Sequence, residues 1–293
     1  LKHRIGTVDL SACLPDMEVV VNIKNTVRSY IQRACSIRSL TLVLIWVYML
    51  DTLLQGYRVQ AASYGVRDAF AILPFVQADG YFLKVMLIGV LCFFSNAPFM
   101  NRNEMYVILR TGRRRWGRRN IGYIFACSIV LAVLLAVIST LMILPVANFS
   151  NHWGSLYKTL ALQSGTLVFP IVDEAMIRYT PIQLMGCIIL IDSLAFSFMG
   201  IFLYTLSLYS NRILTYLLTI ILIFLPTIEA FIPWSIVYYS PFSWINPQKW
   251  RYGTMLEYPN LTYIMTAYIF LLFLLVLAAQ KKMDSVEWNE TEE

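Results

Sequence analysis

Apolar residues gather along this chain into six long runs, about 39–55, 82–99, 121–145, 182–208, 213–234 and 262–279, separated by polar and charged clusters. A run of roughly twenty residues crosses a ~30 Å hydrocarbon core as a helix. A membrane barrel would instead show shorter segments of alternating hydrophobicity. The pattern predicts an all-α, polytopic membrane protein with six transmembrane helices, the third and fourth long enough to tilt or to extend beyond the bilayer. Ahead of the first run, Ile23, Val27, Tyr30 and Ile31 recur at helical spacing with Lys24, Arg28, Arg33 and Arg38 between them. That spacing predicts an amphipathic helix over 22–38, lying in the interface.

Three regions follow: a tail with the interfacial helix (1–38), the six-helix transmembrane domain (39–279), and an acidic tail (280–293). The acidic end reads either as a solvated terminus or as a contact for a basic partner. Residues 1–21 lack the central apolar stretch of a cleavable secretory signal, so the first span is expected to act as its own insertion signal.

Composition agrees: 58% of residues are hydrophobic and 14% charged, too few charges for a water-soluble surface. The net charge of +6 does not form a patch on a soluble domain, so it points to topology rather than to nucleic acid. With six spans, sixteen of the 23 Lys and Arg fall on one side: the chain start, the 101–120 loop, Arg212, Lys281 and Lys282. Seven fall on the other: Arg58, Arg67, Lys84, Lys158, Arg178, Lys249 and Arg251. Positive charge is retained in the cytoplasm, so both termini are expected there. Trp153, Trp234, Trp244 and Trp250 then collect at the outer interface, where an aromatic belt is expected. The five cysteines form no CxxC pair, and several sit in apolar runs, so neither a disulfide nor a metal is inferred.

Several chemistries are excluded. No GxxxxGK[ST] phosphate loop occurs, so any ATP hydrolysis requires another polypeptide. The two histidines, His3 and His152, form no HExxH, and there is no GxSxG elbow. Asp51 and Asp192 lie in separate spans but outside the GxGD setting of intramembrane aspartyl proteases. No catalytic residue is assigned.

The loop between the second and third runs carries more pattern. Pro98 is expected to end the second span. Asn101 or Asn103 can cap a short helix over 104–109, closed by Thr111 and Gly112. The Arg cluster 113–119 is adequately explained by topology and anionic lipid. A capped helix held between two spans is not.

This layout resembles the permease subunit of type-2 ATP-binding-cassette exporters. The shared features are six spans, an interfacial helix before the first, a short cytoplasmic helix between the second and third, and a broken segment (239–251) before the last. That segment, with Ser240-Pro241-Phe242-Ser243-Trp244 and Arg251, is similar to the Asn/Ser-Pro-hydrophobic-Thr/Ser-aromatic…Arg stretch of such permeases. Ser95-Asn96-Ala97-Pro98-Phe99, followed by Arg110-Thr111-Gly112-Arg113 and Trp116, further resembles a group of permeases from Gram-positive bacteria, most of them with unassigned substrates.

The resemblance implies a plasma-membrane permease that dimerises with itself or with a paralogue, forms the substrate pathway, and binds two cytoplasmic ATPase subunits that hold ATP and Mg. It implies no cofactor in this chain and no nucleic-acid partner. Its substrate class would be a peptide or another amphipathic molecule. The coupling helix maps onto Asn101, Arg102, Asn103, Glu104, Met105, Tyr106 and Arg110, and the interfacial helix onto Lys24, Val27, Arg28, Tyr30 and Ile31.

Three acidic residues fall within the runs: Asp51, Asp192 and Glu229. A carboxylate at membrane depth costs on the order of 2.5–3.5 kcal/mol on insertion scales, so each is expected to face protein or a wet cavity. They are candidate pathway residues for cationic groups, or else hydrogen-bonded packing residues with Lys84 as the nearest cationic partner. Gly186 and Gly200 are expected to allow close helix approach. Two other readings stay open: a non-transporting membrane binding, immunity or sensor protein, and a secondary transporter.

Overall fold

The protein is described by a computed structural model, which covers residues 30, 36–99, 108, 110, 112–162, 169–228, 234–253 and 257–283. Its contacts divide into two units, Leu1–Thr41 and Leu42–Glu293. In the first unit Tyr30 is helical and half-buried, and Ser36 opens the first long helix, its carbonyl accepting from the Ser39 hydroxyl at 2.6 Å. Lys24, Val27, Arg28 and Ile31 lie outside the described residues.

The described elements run α1 (Ile37–Tyr64), β1 (Asp68–Ala69), α2 (Leu73–Val76), α3 (Gly80–Phe94), α4 (Arg113–Ile143), β2 (Ala147–Asn148), α5 (Ser155–Leu162), α6 (Asp173–Arg178), α7 (Pro181–Tyr209), α8 (Arg212–Ile228) and α9 (Leu261–Met283). Short 3-10 turns at Trp234–Tyr239, Ser243–Ile245 and Pro247–Lys249 lie between α8 and α9. Four helices, α1, α4, α7 and α9, are long and apolar enough to cross a membrane; α3 and α8 are apolar but shorter, at 15 and 17 residues. The architecture is thus all-α. β1 and β2 only pair with each other, in parallel, Asp68 opposite Ala147 and Ala69 opposite Asn148.

α7 is the central helix. It packs against α4, α9, α8, α3 and α2, and 61% of its most apolar window is buried against 17% for α9. Its start is fixed locally: Thr180 and Gln183 form a capping box, and Pro181 occupies the first turn, where its missing N–H costs nothing. Gly200 lets α7 approach α3 and α4, since a Cβ there would lie 2.5 Å from Ile124 and 3.3 Å from the Phe94 ring. Gly186 faces open space, so the close approach expected of both glycines belongs to Gly200 alone. Toward its C-terminal end, the Thr205 and Tyr209 hydroxyls donate to the α9 carbonyls of Leu275 and Ala278.

The six apolar runs each coincide with one helix, with shifted ends. α1 continues nine residues past Gln55, because hydropathy falls there while helix-compatible residues persist. α3 stops at Phe94 rather than reaching Pro98, where the chain turns through Ser95, whose hydroxyl folds back onto the Cys92 carbonyl. α8 is described to Ile228, two residues past Pro226, which it carries inside the helix; residues 229–233 of the expected run lie outside the described residues. It buries only Thr215, Thr219 and Ile223, one stripe at helical spacing, and leaves the rest of its apolar surface outward.

Candidate functional site

One end of the bundle is basic. It holds Arg110 and the first turns of α4, the start of α8 at Arg212, and the last turn of α9 with Lys281 and Lys282. The other end, roughly 45 Å away along the 31 residues of α4, is closed by irregular backbone, and there the polar residues converge.

Two broken segments fold inward at that end. Residues 71–78 (Ala-Ile-Leu-Pro-Phe-Val-Gln-Ala) are buried throughout, including the single helical turn α2. Residues 240–247 (Ser-Pro-Phe-Ser-Trp-Ile-Asn-Pro) are likewise buried. Buried backbone must find its hydrogen bonds inside the protein. Here Asn246 donates from its side-chain nitrogen to the Ala78 carbonyl at 3.3 Å, tying one segment to the other. The Tyr268 hydroxyl on α9 donates to the Pro241 carbonyl, while Trp244 packs edge-on against the Tyr268 ring at 5.0 Å. Trp244 and Trp250 are each 2% exposed, and their indole nitrogens donate to the carbonyls of Val237 and Trp244. They are interior struts, not members of an interfacial aromatic belt. Their partners are backbone carbonyls released by the 3-10 turns, which hydropathy alone does not reveal.

Gln77 points from the first broken segment to α7. Its side-chain nitrogen donates to Asp192 Oδ2 at 2.7 Å, and both residues are fully buried. Asp192 lies roughly 17 Å along α7 from Pro181, counting 1.5 Å per residue. The other two oxygens of the pair, Asp192 Oδ1 and Gln77 Oε1, have no hydrogen-bond partner among the described residues. The arrangement is a polar cross-link through an apolar core. Lys84 takes no part in it, since its ammonium sits over the Tyr81 ring, 5.4 Å from the centroid.

Asp51 is elsewhere. Its side chain is 59% exposed on α1, and its Oδ1 is 2.5 Å from Arg58, two turns along the same helix. It does not face the interior of this bundle, because the cation on its own helix supplies the partner that burial would otherwise have to provide. Glu229 lies outside the described residues, as do Asn101, Arg102, Asn103, Glu104, Met105 and Tyr106. Of the loop helix, Ile108 and Arg110 are described: both are helical, Ile108 buried and Arg110 exposed.

A second buried carboxylate, Asp68, escaped the sequence reading because it sits in a loop. It is 2% exposed, and its Oδ2 accepts from the Tyr157 backbone N–H at 2.8 Å in the first turn of α5. Negative charge at a helix start is favourable. Burial still raises the Asp68 pKa above its ordinary value, with the N–H groups of Tyr157 and Leu156 pulling it back down. Gly154 makes the approach feasible, since a Cβ there would lie 1.6 Å from Asp68 Oδ1. The Tyr157 hydroxyl donates to the Ala69 carbonyl at 3.2 Å, and its ring packs against those of Tyr57, Phe75 and Trp153. The loops after α1 and α4 are thereby locked onto the 71–78 segment.

The signals that could have located this site were present but faint. Residues 71–78 form an apolar stretch with Gln77 as its lone polar member, too hydrophobic for an ordinary surface loop. Among the described residues, no three His, Cys, Asp or Glu group as metal ligands would. Comparison of the chain with protein-family models, with curated proteins and with solved structures finds no match. The structure and the apolar helices define the class, a membrane-embedded helical protein.

Proposed function

We propose that this chain is the membrane-spanning subunit of an ATP-binding-cassette exporter, in which α1, α3, α4, α7, α8 and α9 all cross the bilayer and both termini are cytoplasmic. One observation carries this reading: two broken segments, 71–78 and 240–247, are buried at one end of the bundle and tied to each other and to α7. Irregular backbone at membrane depth is tolerated only where protein or a cavity surrounds it, and interrupted segments are a recurring device of transport pathways. A passive anchor has no use for such a plug, whereas an exporter needs an outer gate that opens against a sealed rest state. The short helix α3 supports the same picture, since it begins two residues after the 71–78 segment.

In this reading the partner ATPase supplies nucleotide hydrolysis, and the 101–110 helix transmits its closure. A short helix joined to two spans acts as a lever, which a flexible loop could not. The substrate is a peptide or other amphipathic molecule. The buried Asp192 is the observation that favours a second reading, an ion-coupled carrier without an ATPase.

Purification of the tagged chain from its native membrane separates the two. An exporter subunit brings down an ATPase, and a Gly-Gly insertion after Met105 abolishes substrate-stimulated ATP hydrolysis while membrane insertion persists. A chain that purifies without an ATPase and moves substrate on an ion gradient alone overturns the proposal.

A further inference from the structure

At the basic end, a cleft of about 490 Å³ between α4 and α9 is lined by Arg114, Arg118, Gln280, Lys281 and Leu277. Arg114 and Arg118 are one helical turn apart and so share a face, and Lys281 comes from the opposite wall. Three cations and an amide thus converge from two helices that are otherwise apolar. Met283 also lines the cleft and lies close against Gly117, where a Cβ would fall 1.7 Å from its sulfur.

The surface that leaves this cleft is apolar on both walls. On α9, Leu277, Leu274 and Phe270 continue the Lys281 face and are exposed by 46%, 45% and 60%. On α4, Ile129 and Val133 continue the Arg118 face, also exposed. A soluble phosphate or an acidic protein would need the cations and not the stripe. A phospholipid has both parts, an anionic head and acyl chains running along the helices.

We propose that the α4–α9 cleft binds the headgroup of an anionic phospholipid, its phosphate held by Arg114, Arg118 and Lys281 and its chains laid along the two apolar stripes. Under the orientation proposed above, the lipid belongs to the cytoplasmic leaflet, where anionic lipids concentrate; the binding chemistry itself is independent of the transport reading.

The test uses the purified full-length chain in maltoside micelles, titrated with dioleoyl phosphatidylglycerol and followed by native mass spectrometry. Saturable binding is expected, with dioleoyl phosphatidylcholine far weaker. Each basic residue near an anionic surface is worth roughly fivefold in affinity, so Arg118→Gln with Lys281→Gln should weaken binding by about thirtyfold. Arg67→Gln with Lys158→Gln removes the same charge at the opposite end and should leave it unchanged. Both pairs are exposed, and thermal unfolding checks that each variant remains folded.

Equal weakening by the two pairs, or equal affinity for phosphatidylcholine, overturns the proposal. Competition by glycerol 3-phosphate at the lipid's own affinity would make this a free-anion site and overturn it too. So would lipid binding that appears only after deletion of 284–293, since the acidic tail would then be the occupant.

Discussion

The Gln77–Asp192 cross-link makes a quantitative prediction. Replacing Gln77 by Leu keeps the volume but removes the only donor that Asp192 has among the described residues, leaving a fully buried carboxyl without it. An orphaned buried polar group costs about 1–3 kcal/mol, and more if charged. Asp192→Leu leaves the Gln77 amide nitrogen with only the Met86 sulfur, 3.8 Å away, as a weak acceptor. Replacing both removes every polar atom of the pair, including the two oxygens that already lack partners, Asp192 Oδ1 and Gln77 Oε1. The double variant should therefore be about as stable as the parent, or more so, as when a buried ion pair is exchanged for apolar residues.

Two effects compete in setting the size of the coupling. Interhelical hydrogen bonds within membranes average only about 0.6 kcal/mol, because the unfolded state in lipid finds other partners. Against that, both residues here are fully enclosed by protein, where the orphaning cost is largest. The second should win, giving a coupling of at least about 1 kcal/mol in a double-mutant cycle. Reversible unfolding in mixed micelles with increasing SDS measures it, with the four proteins at matched concentration. Single-variant losses that add to within about 0.3 kcal/mol would refute the cross-link. If the segment is also a gate, Gln77→Leu should raise substrate leak through the resting protein, which a packing role alone does not predict.

Three further outcomes follow from the same structure. Gly154→Ala drives a Cβ into the Asp68 carboxylate and should cost about 1–3 kcal/mol, read as faster proteolysis of the loops after α1 and α4; unchanged protection counts against the lock. Gly117→Ala and Gly200→Ala should differ, although both meet atoms closer than 3 Å. The first meets the flexible end of Met283 and should be nearly neutral, whereas the second meets Ile124 and the Phe94 ring and should cost about 1–3 kcal/mol in thermal unfolding. Asp68 gives a pH dependence: its folded pKa lies above the ordinary 3.8, so its contribution is fully present below 3.8 and is lost as pH rises through the elevated folded value. Asp68→Asn should flatten that slope in melts across the acid range while keeping an acceptor for the Tyr157 N–H; a slope that persists assigns it to another group.

The helices were legible because each is long, apolar and bounded by turn chemistry. Thr180-Pro181 marks the start of α7 before any coordinates are known, and the runs at 182–208 and 262–279 differ from their helices by only a few residues. What hydropathy could not separate is an apolar segment that crosses the membrane from one that plugs the protein. Residues 71–78 are as hydrophobic as a span fragment but too short to cross, while 240–247, with two Ser, two Pro and Asn246, has the composition of a turn, so the burial of both is decided by tertiary neighbours.

The same limit governs the carboxylates. Asp51 and Asp192 lie in similar apolar surroundings along the chain, yet one pairs with Arg58 on its own helix and the other with a glutamine 115 residues earlier. A local partner is visible at helical spacing, and Arg58 could have been read from the sequence as a neighbour two turns on. A distant one is not. Insertion cost therefore ranks the two aspartates as equals, while the fold makes Asp192 the group on which the closed end depends. If 71–78 is the gate proposed above, that inequality ties gating to stability: moving Gln77 away leaves a buried carboxyl unpaired, so opening would require something that satisfies Asp192 as Gln77 leaves. Under that proposal a cationic group on a substrate would have the chemistry to do so.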